Sequence, residues 1–273
     1  MRLDRALVER GLARSRAHAH ELVEAGHVSV DGNPAAKPAL EVSDASEITL
    51  ASTAGAHYVS RAAFKLLGSL DACEPLGLDV HGKDALDAGA STGGFTQVLL
   101  ERGVRHVTAI DVGHGQLAPS IASDPRVTSV EGLNVRDVMP DSPGAGAAVV
   151  VADLSFISLT YAIGPLIGLA SPSADFVLMV KPQFEVGKQA LGAGGVVRDP
   201  GQRADAVAGV VAHMRGSGLT IHNIEPSVLA GPAGNQEFFV WGSGSWQARG
   251  ASAPRALDDA AITKAIAVAV ERT

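Results

Sequence analysis

The stretch FVLMVKPQFE, residues 176–185, joins an unbroken apolar run to a lysine and a proline. Five consecutive apolar residues predict a β-strand that is buried on both faces. Lys181 follows at the point where this strand leaves the sheet. Because a charged side chain beside a core needs an acidic partner or water, we expect Lys181 to be ion-paired or to line a cleft.

Six further apolar, β-branched runs have the same character: DALDAGAS, HVTAIDVG, VTSVEGL, AAVVVADLS, LTIHNIEPSVL and EFFVWG. The helical patterns FTQVLLERG, ISLTYAIGPLIGLA and QRADAVAGVVAHMRG separate most of them. This alternation predicts an α/β fold with a mainly parallel sheet that helices cover on both faces. In such a sheet the ligand crevice lies beyond the carboxyl ends of the strands, which is where Lys181 is expected.

The first fifty residues have the pattern of a separate small unit. Leucines at helical spacing predict two short helices that end at Gly11 and Gly26, with Ser15 as the N-cap of the second. The run HVSVDGNPAAKP alternates and then turns at Asp31-Gly32, which is typical of a hairpin. EITL follows as a further strand. We therefore predict a small α+β domain.

The remaining boundaries follow from composition. ASTAGAH is a run of small residues typical of a linker, and a Gly/Ser/Ala/Pro-rich stretch after Gly244 precedes the amphipathic pattern LDDAAITKAIAVAVERT. The predicted divisions are 1–50 for the small domain, 51–58 for a linker, 59–244 for the α/β domain and 245–273 for a second linker and a C-terminal helix.

Composition limits the function classes. A single cysteine among 273 residues excludes an intramolecular disulfide and a cysteine-based zinc site, and we expect no metal. The N-terminus MRLDRALVERG is charged throughout, unlike a secretory signal. The longest apolar runs reach about half of the roughly 20 residues that a membrane span needs. We expect a cytoplasmic protein without a membrane partner, and no feature predicts its oligomeric state.

A glycine-containing turn follows the first strand of the sheet. The segment DAGASTGGF, residues 87–95, permits a tight turn and close approach of the backbone to a ligand, although it lacks a full G-x-G-x-x-G. Asp111 lies about 20 residues further on, where a carboxylate can accept hydrogen bonds from both ribose hydroxyls of a nucleoside. The pair fits a nicotinamide dinucleotide or S-adenosylmethionine, and the alternative is an ordinary turn with a capping aspartate.

Other polar residues stand at strand ends or just before the first strand of the α/β domain. Asp153 follows the run VVVA, Glu237 precedes FFVW, and Lys65 lies in YVSRAAFKLL. Adjacent parallel strands would bring Asp153 and Lys181 to one rim, so that two lysines and two carboxylates converge on one cleft. The alternative is a pair of structural salt bridges.

Four separated motifs carry a resemblance: SRAAFKL, LDAGASTGGFTQVLL, DLSFISL and KPQFE. The α/β domain resembles the FtsJ-like 2′-O-ribose methyltransferases, and residues 1–245 resemble the TlyA family of rRNA methyltransferases, some of which are called hemolysins. RLDRALVERGLARSR with GHVSVDG resembles a small RNA-binding domain first seen in a ribosomal protein. The resemblance implies a Rossmann-like seven-stranded methyltransferase sheet and S-adenosylmethionine as cofactor. It also implies 2′-O-methylation of cytidine in the 16S rRNA, the 23S rRNA or both, in ribosomal subunits.

The resemblance also implies a catalytic Lys-Asp-Lys-Glu tetrad, formed by Lys65, Asp153, Lys181 and Glu237. A ribose 2′-hydroxyl must lose its proton as it attacks a methyl carbon, and Lys181 is expected to act on it. A lysine suits this role when a neighbouring cation, here Lys65, disfavours its charged form, whereas a carboxylate beside it has the opposite effect. Which lysine is the base stays open.

Ligand contacts are implied in both domains. The residues implied to bind S-adenosylmethionine are Asp87, Gly89, Ser91, Gly93, Gly94, Phe95, Asp111, Asn134 and Asp137. The residues implied to bind RNA are Arg2, Arg5, Arg14 and Arg16. Residues 1–50 hold six Lys/Arg against eight Asp/Glu, a net charge of −2, so these arginines must cluster on one face to attract phosphates. Phe64, Phe95 and Phe156 either stack on a nucleobase or belong to the core.

Three other functions are open to this sequence. The complete tetrad disfavours an RNA-binding ribosome-assembly factor with an inactive methyltransferase domain. The lack of a spanning segment or a strongly basic amphipathic helix disfavours a hemolysin that acts on membranes. The incomplete glycine motif disfavours a nicotinamide-dependent dehydrogenase.

Two further motifs bear on the site. Residues 153–156, DLSF, lack the prolines typical of amino methyltransferases, which favours a hydroxyl acceptor. LGAGGVVRDPG, residues 191–201, is either a lid over the site or a long turn.

Overall fold

The computed structural model describes residues 1–13, 16–24, 28–43, 45–50, 57–187, 191–245 and 253–273. Contacts divide the chain into two compact units, Met1–Arg61 and Ala62–Thr273. The predicted cap Ser15, the predicted helix end Gly26, the predicted RNA contact Arg14 and residues 51–56 of the predicted linker lie outside the described residues.

The first unit packs two helices on a three-stranded antiparallel sheet. Its elements are α1 (Leu3–Glu9), α2 (Arg16–Glu24), β1 (Val28–Val30), β2 (Asn33–Pro34) and β3 (Ile48–Leu50), with the strand order β2-β1-β3. Asp31 and Gly32 both have positive φ, 51° and 78°, which is the geometry of a tight hairpin turn between β1 and β2. Leu3, Leu7 and Val28 lie in its fully buried core.

The second unit is a seven-stranded mixed sheet. Its strands are β4 (Asp84–Ala88), β5 (His106–Asp111), β6 (Val127–Glu131), β7 (Val149–Ala152), β8 (Asp175–Val180), β9 (Thr220–Pro226) and β10 (Phe238–Ser243), in the spatial order β6-β5-β4-β7-β8-β10-β9. The first five of these strands pair in parallel, and β10 runs antiparallel to β8 and β9. All six residues of β8 are buried, as its apolar run predicts.

Helices cover both faces of this sheet. They are α3 (Ala62–Cys73), α4 (Gly94–Glu101), α5 (Pro119–Ala122), α6 (Thr160–Leu169), α7 (Pro182–Glu185), α8 (Pro200–Gly216) and α9 (Asp259–Glu271). α6, α8 and α9 share one core with Phe238 and Val240 of β10, whereas Phe95 of α4 packs on Phe239, which points to the opposite face. The predicted fold class is therefore confirmed. No helix within the described ranges is long and apolar enough to cross a bilayer.

Candidate active site

Three predicted site residues leave the sheet at the same edge. Ala88 at the end of β4 pairs with Ala152 at the end of β7, and Phe238 at the start of β10 pairs with Val180 at the end of β8. Because Asp153, Lys181 and Glu237 each lie one residue beyond these strand ends, the register brings all three to this edge.

The four tetrad residues form two ion pairs. Lys181 Nζ lies 2.6 Å from Asp153 Oδ1. Lys65 Nζ, which projects from α3, donates to Glu237 Oε2 at 2.5 Å, and both of these residues are buried, with exposed fractions of 4% and 1%. The two pairs match the expected Lys–Asp and Lys–Glu partners. The convergence of all four residues on one cleft and their catalytic roles stay predictions.

Ser155 is a second partner of Lys181. Lys181 Nζ donates to Ser155 Oγ at 2.8 Å, so its amine is fixed by a carboxylate and a hydroxyl two residues apart in one loop. Sequence reasoning quoted Ser155 within DLSF and assigned it no role. The only sequence feature that marks Ser155 is its position two residues after a strand-end aspartate, and serines at such positions are too common to indicate a lysine partner.

Glu185 fixes the loop that carries these partners. Its two carboxylate oxygens accept hydrogen bonds from Ser158 Oγ at 2.5 Å and from the backbone N–H of Leu159 at 2.9 Å, at the N-terminal end of α6. Burial raises the pKa of Glu185. The loop needs this support because Phe156 within it adopts φ = 66°, a left-handed conformation that is strained for a residue with a bulky side chain. Glu185 is a second residue to which sequence reasoning gave no role.

A cleft of about 720 Å³ opens at this edge of the sheet. Gly89, Ser91 and Asp111 line it beyond β4 and β5, and Asp153 and Ser155 line it beyond β7. Both partners of Lys181 thus lie in the cleft wall. Phe156 is also in the lining, with 92% of its side chain exposed and its ring 5.4 Å from that of Phe184.

Asp111 and Gly89 give the cleft the properties that a nucleoside needs. The Asp111 carboxylate accepts the backbone N–H groups of Ser91 at 2.8 Å and Gly113 at 2.7 Å, one on each oxygen. Each oxygen retains a further lone-pair site for a ribose hydroxyl. Gly89 has φ = 82°, and a Cβ there would lie 2.7 Å from the carbonyl oxygen of Asp153. The site therefore requires glycine at this position.

These features fit the S-adenosylmethionine that the sequence resemblance implies. Asp111 would hold its ribose, and the backbone at Gly89 permits close approach. Asn134 lines the cleft between Leu133 and Val135, where an adenine ring would find apolar contact, and its side-chain oxygen already accepts the N–H of Arg136 at 3.0 Å. When bound, this cofactor supplies an electrophilic methyl group on a sulfonium.

Several residues predicted to contact the cofactor lie outside the described cleft lining. Asp87 is fully buried and accepts a hydrogen bond from Thr96 Oγ1 at 2.7 Å, and burial raises its pKa to about 7. Gly93 and Gly94 form the N-terminus of α4. The other residues outside the lining are Phe95, which is in the core, and Asp137, which is exposed. Asp87, Gly93 and Gly94 flank the turn that carries Gly89 and Ser91, and their predicted contacts with the cofactor stay predictions.

The segment predicted as a lid or a turn is bonded to the loop before β10. Asn235 is buried, its side-chain nitrogen donates to the Gly195 carbonyl at 3.0 Å, and its oxygen accepts the Val197 N–H at 2.9 Å. Asn235 stands two residues before Glu237. These bonds link the glycine-rich segment to the edge of the sheet that carries the site.

The described arginines predicted to bind RNA lie in the first unit and are ion-paired. Arg2 and Arg16 pair with Asp4 at 3.1 and 2.8 Å, and Arg5 pairs with Glu9 at 2.8 Å. Arg2 and Arg16 therefore meet at one carboxylate, whereas Arg5 pairs elsewhere, and the RNA contacts of these arginines stay predictions.

Comparison with known proteins gives both units a family. Residues 58–243 match the FtsJ-like methyltransferase family, and residues 1–48 match the S4 domain. The 16S/23S rRNA (cytidine-2′-O)-methyltransferase TlyA of Mycobacterium tuberculosis is 51% identical over 240 residues, 88% of each chain. Hemolysin A of Brachyspira hyodysenteriae is 35% identical over 242 residues, 88% of this chain and 98% of the other. A solved structure from Streptococcus thermophilus, described as a candidate hemolysin, has a TM-score of 0.76 at 31% identity and covers 99% of this chain and 96% of that chain.

These matches confirm the predicted enzyme class and cofactor: the chain is a methyltransferase that uses S-adenosylmethionine. The predicted resemblance of the N-terminal unit to a small RNA-binding domain is confirmed by the S4 match. The chain belongs to the FtsJ-like methyltransferase family, in the group that contains the TlyA rRNA methyltransferases.

Proposed function

We propose that this enzyme methylates the 2′-oxygen of cytidine ribose in rRNA, in both 16S and 23S rRNA, within ribosomal subunits. The observation that carries the proposal is the position of Lys181, whose two partners, Asp153 and Ser155, line the same cleft as Asp111. An amine whose two partners line a nucleoside-sized cleft suits a hydroxyl that must be positioned and deprotonated. The rRNA substrate places the enzyme in the cytoplasm.

In this proposal Lys181 contacts the 2′-oxygen of the target ribose. Asp153 and Ser155 hold its Nζ in one place, so the hydroxyl is oriented before the reaction begins. As the oxygen gains the methyl group it loses its proton, and the Lys181–Asp153 pair receives that proton. Lys181 can accept this proton only in its neutral form, so its ammonium group first releases a proton to solvent. The ammonium that the transfer restores is then paired with Asp153.

Lys65 and Glu237 have a supporting part in the same proposal. Both side chains are buried and neutralise each other, and neither lies in the described cleft lining. Their pair fixes the start of β10 against α3 and so holds the edge from which Lys181 projects. Lys181 is also absent from the described lining, but its partner Asp153 is part of it, so we assign the proton to the Lys181–Asp153 pair and not to Lys65.

RNA supplies the target and is held by two features. The S4 unit presents Arg2, Arg5 and Arg16, which suit phosphate oxygens. At the cleft, the exposed ring of Phe156 suits stacking on an unpaired base, as single-stranded RNA recognition requires. The relative from M. tuberculosis is named for cytidine in both 16S and 23S rRNA, which supports cytidine as the target here.

The experiment incubates the full chain and S-adenosylmethionine with unmodified ribosomal subunits, followed by digestion of the rRNA and nucleoside mass spectrometry. The expected product is 2′-O-methylcytidine that depends on both components. A methyl group on a base would refute the hydroxyl acceptor. No modified nucleoside, with S-adenosylmethionine still bound in a calorimetric titration, would refute the enzyme activity on rRNA and favour an assembly factor.

A further inference from the structure

Asp4, the second residue of α1, is a buried carboxylate at the centre of the S4 unit's basic residues. Its Oδ1 accepts hydrogen bonds from Arg2 Nε at 3.1 Å and from the backbone N–H of Arg5 at 2.9 Å. Its Oδ2 accepts from Arg2 Nη2 at 3.1 Å and Arg16 Nη2 at 2.8 Å, and it lies 3.0 Å from His20 Nε2. One carboxylate therefore contacts the side chain of Arg2, which precedes α1, and those of Arg16 and His20 in α2.

The charged side chains of this cluster differ in their exposure to solvent. Asp4 is 0% exposed, whereas the side chains of Arg2, Arg16 and His20 are 45%, 64% and 42% exposed. Arg16 and His20 lie one turn apart on the same face of α2. The negative charge thus lies beneath the surface and the arginines lie on it. Hydrogen bonds from Arg2 and Arg16 hold the pKa of Asp4 well below its usual range against the effect of burial, so this charge is present at neutral pH.

We propose that Asp4 is a positioning residue for RNA binding, which fixes Arg2, Arg16 and His20 as one preorganised surface for RNA phosphates. The assignment rests on the proposed function, because it takes RNA as the ligand of the S4 unit. Among the described residues, each guanidinium directs its Nε and Nη2 donors to Asp4, which leaves Nη1 available to a phosphate oxygen. A phosphate then meets side chains whose rotamers are already set, which removes an entropic cost of binding.

For one substitution, preorganisation of the arginines and net charge alone predict opposite changes in RNA affinity. Asp4→Asn raises the charge of the unit by one, from −2 to −1 over residues 1–50, which by itself favours RNA. If Asp4 positions the arginines, the same substitution weakens RNA binding although the unit becomes more positive. Glu47→Gln is the matched control, because it changes the charge equally, its side chain is exposed, and it takes no part in the Asp4 cluster.

The experiment measures binding of the full chain to unmodified ribosomal subunits, the proposed substrate, by co-sedimentation at fixed salt. Asp4→Asn is expected to bind about tenfold more weakly than wild type, the scale expected when two flexible side chains must be immobilised during binding. Glu47→Gln is expected to bind at least as tightly as wild type. Asp4→Asn binding as tightly as wild type, or more tightly, would overturn the assignment alone. Wild type that does not bind rRNA would overturn the proposed function and the assignment with it.

A fold control keeps the test decisive. Circular dichroism reports on the helix content of the whole chain, and S-adenosylmethionine binding reports on the second unit, which contains the predicted cofactor cleft. If Asp4→Asn loses helix content, Arg16→Lys replaces it, because lysine keeps the charge and the ion pair but lacks the planar fork. Arg16→Lys is then expected to bind about fivefold more weakly, and wild-type affinity for this variant would equally overturn the assignment.

Discussion

Removing one member of the buried Lys65–Glu237 pair should destabilise the second unit in a pH-dependent way. Lys65→Met keeps the length and apolar stem of the side chain but leaves the Glu237 carboxylate, 1% exposed, without its cation. Breaking a buried pair from one side costs about 3–5 kcal/mol of unfolding free energy. The carboxyl left behind can escape by taking up a proton, which for an ordinary glutamate costs about 4 kcal/mol at pH 7 and about 1 kcal/mol at pH 5.

The expected loss of stability is therefore about 3–4 kcal/mol at pH 7 and about 1 kcal/mol at pH 5. Urea denaturation of wild type and Lys65→Met at the two pH values measures it. The double variant Lys65→Met/Glu237→Gln, in which no charge is buried, should recover most of the loss at pH 7. Arg105→Gln is the control, since the Arg105–Asp84 pair is 69% and 41% exposed and should contribute less than about 1 kcal/mol. A loss at pH 7 below 1 kcal/mol, or one of equal size at pH 5, would refute this reasoning.

Three further predictions concern the cleft and the buried strand end beside it. Gly89→Ala adds a Cβ 2.7 Å from the Asp153 carbonyl at φ = 82°, and calorimetry should show at least tenfold weaker S-adenosylmethionine binding; unchanged affinity would contradict the fit described here. Phe156→Gly removes the strain of a left-handed φ of 66°, so denaturation should show a free energy of unfolding raised by up to about 1 kcal/mol. Methylation of rRNA should fall at the same time. A lower free energy of unfolding would show that Phe156 is not strained. Asp87 has a pKa raised to about 7, above its value in the unfolded chain, so its contribution is complete below about pH 4 and is lost as the pH rises to 7. Asp87→Asn should flatten the fall in stability over this window, and an unchanged slope would refute the assignment.

The sheet was predictable because its central strands, such as β7 and β8, are buried on both faces. Continuous apolar runs mark β7 and β8 in the sequence, and their carboxyl ends place Asp153 and Lys181 at one edge before any coordinates are known. The turn at Asp31-Gly32 was equally predictable, since only a few residue types favour two positive φ angles in succession.

The partners of these residues were not predictable in the same way. The bond from Lys181 to Ser155 and the support of Leu159 by Glu185 depend on side-chain rotamers and on a loop conformation that no short-range pattern encodes. Phe95 follows the glycine turn in sequence, as a cofactor contact would, yet the first turn of α4 directs its ring toward Phe239 and the core. In the sequence, Asp4 is one of eight acidic residues within residues 1–50. Only the structure shows that it is buried and that it accepts hydrogen bonds from Arg2 and Arg16.

The central claim is that Lys181, held by Asp153 and Ser155 at the cleft wall, acts on the ribose 2′-hydroxyl. The most direct measurement is the single-turnover rate of methyl transfer to unmodified ribosomal subunits by Lys181→Ala and wild type, with the dissociation constant for S-adenosylmethionine measured on the same preparations. The account predicts a rate about 10²–10⁴-fold lower with cofactor affinity changed by less than about threefold. A rate close to that of wild type, with the cofactor bound normally, would contradict it.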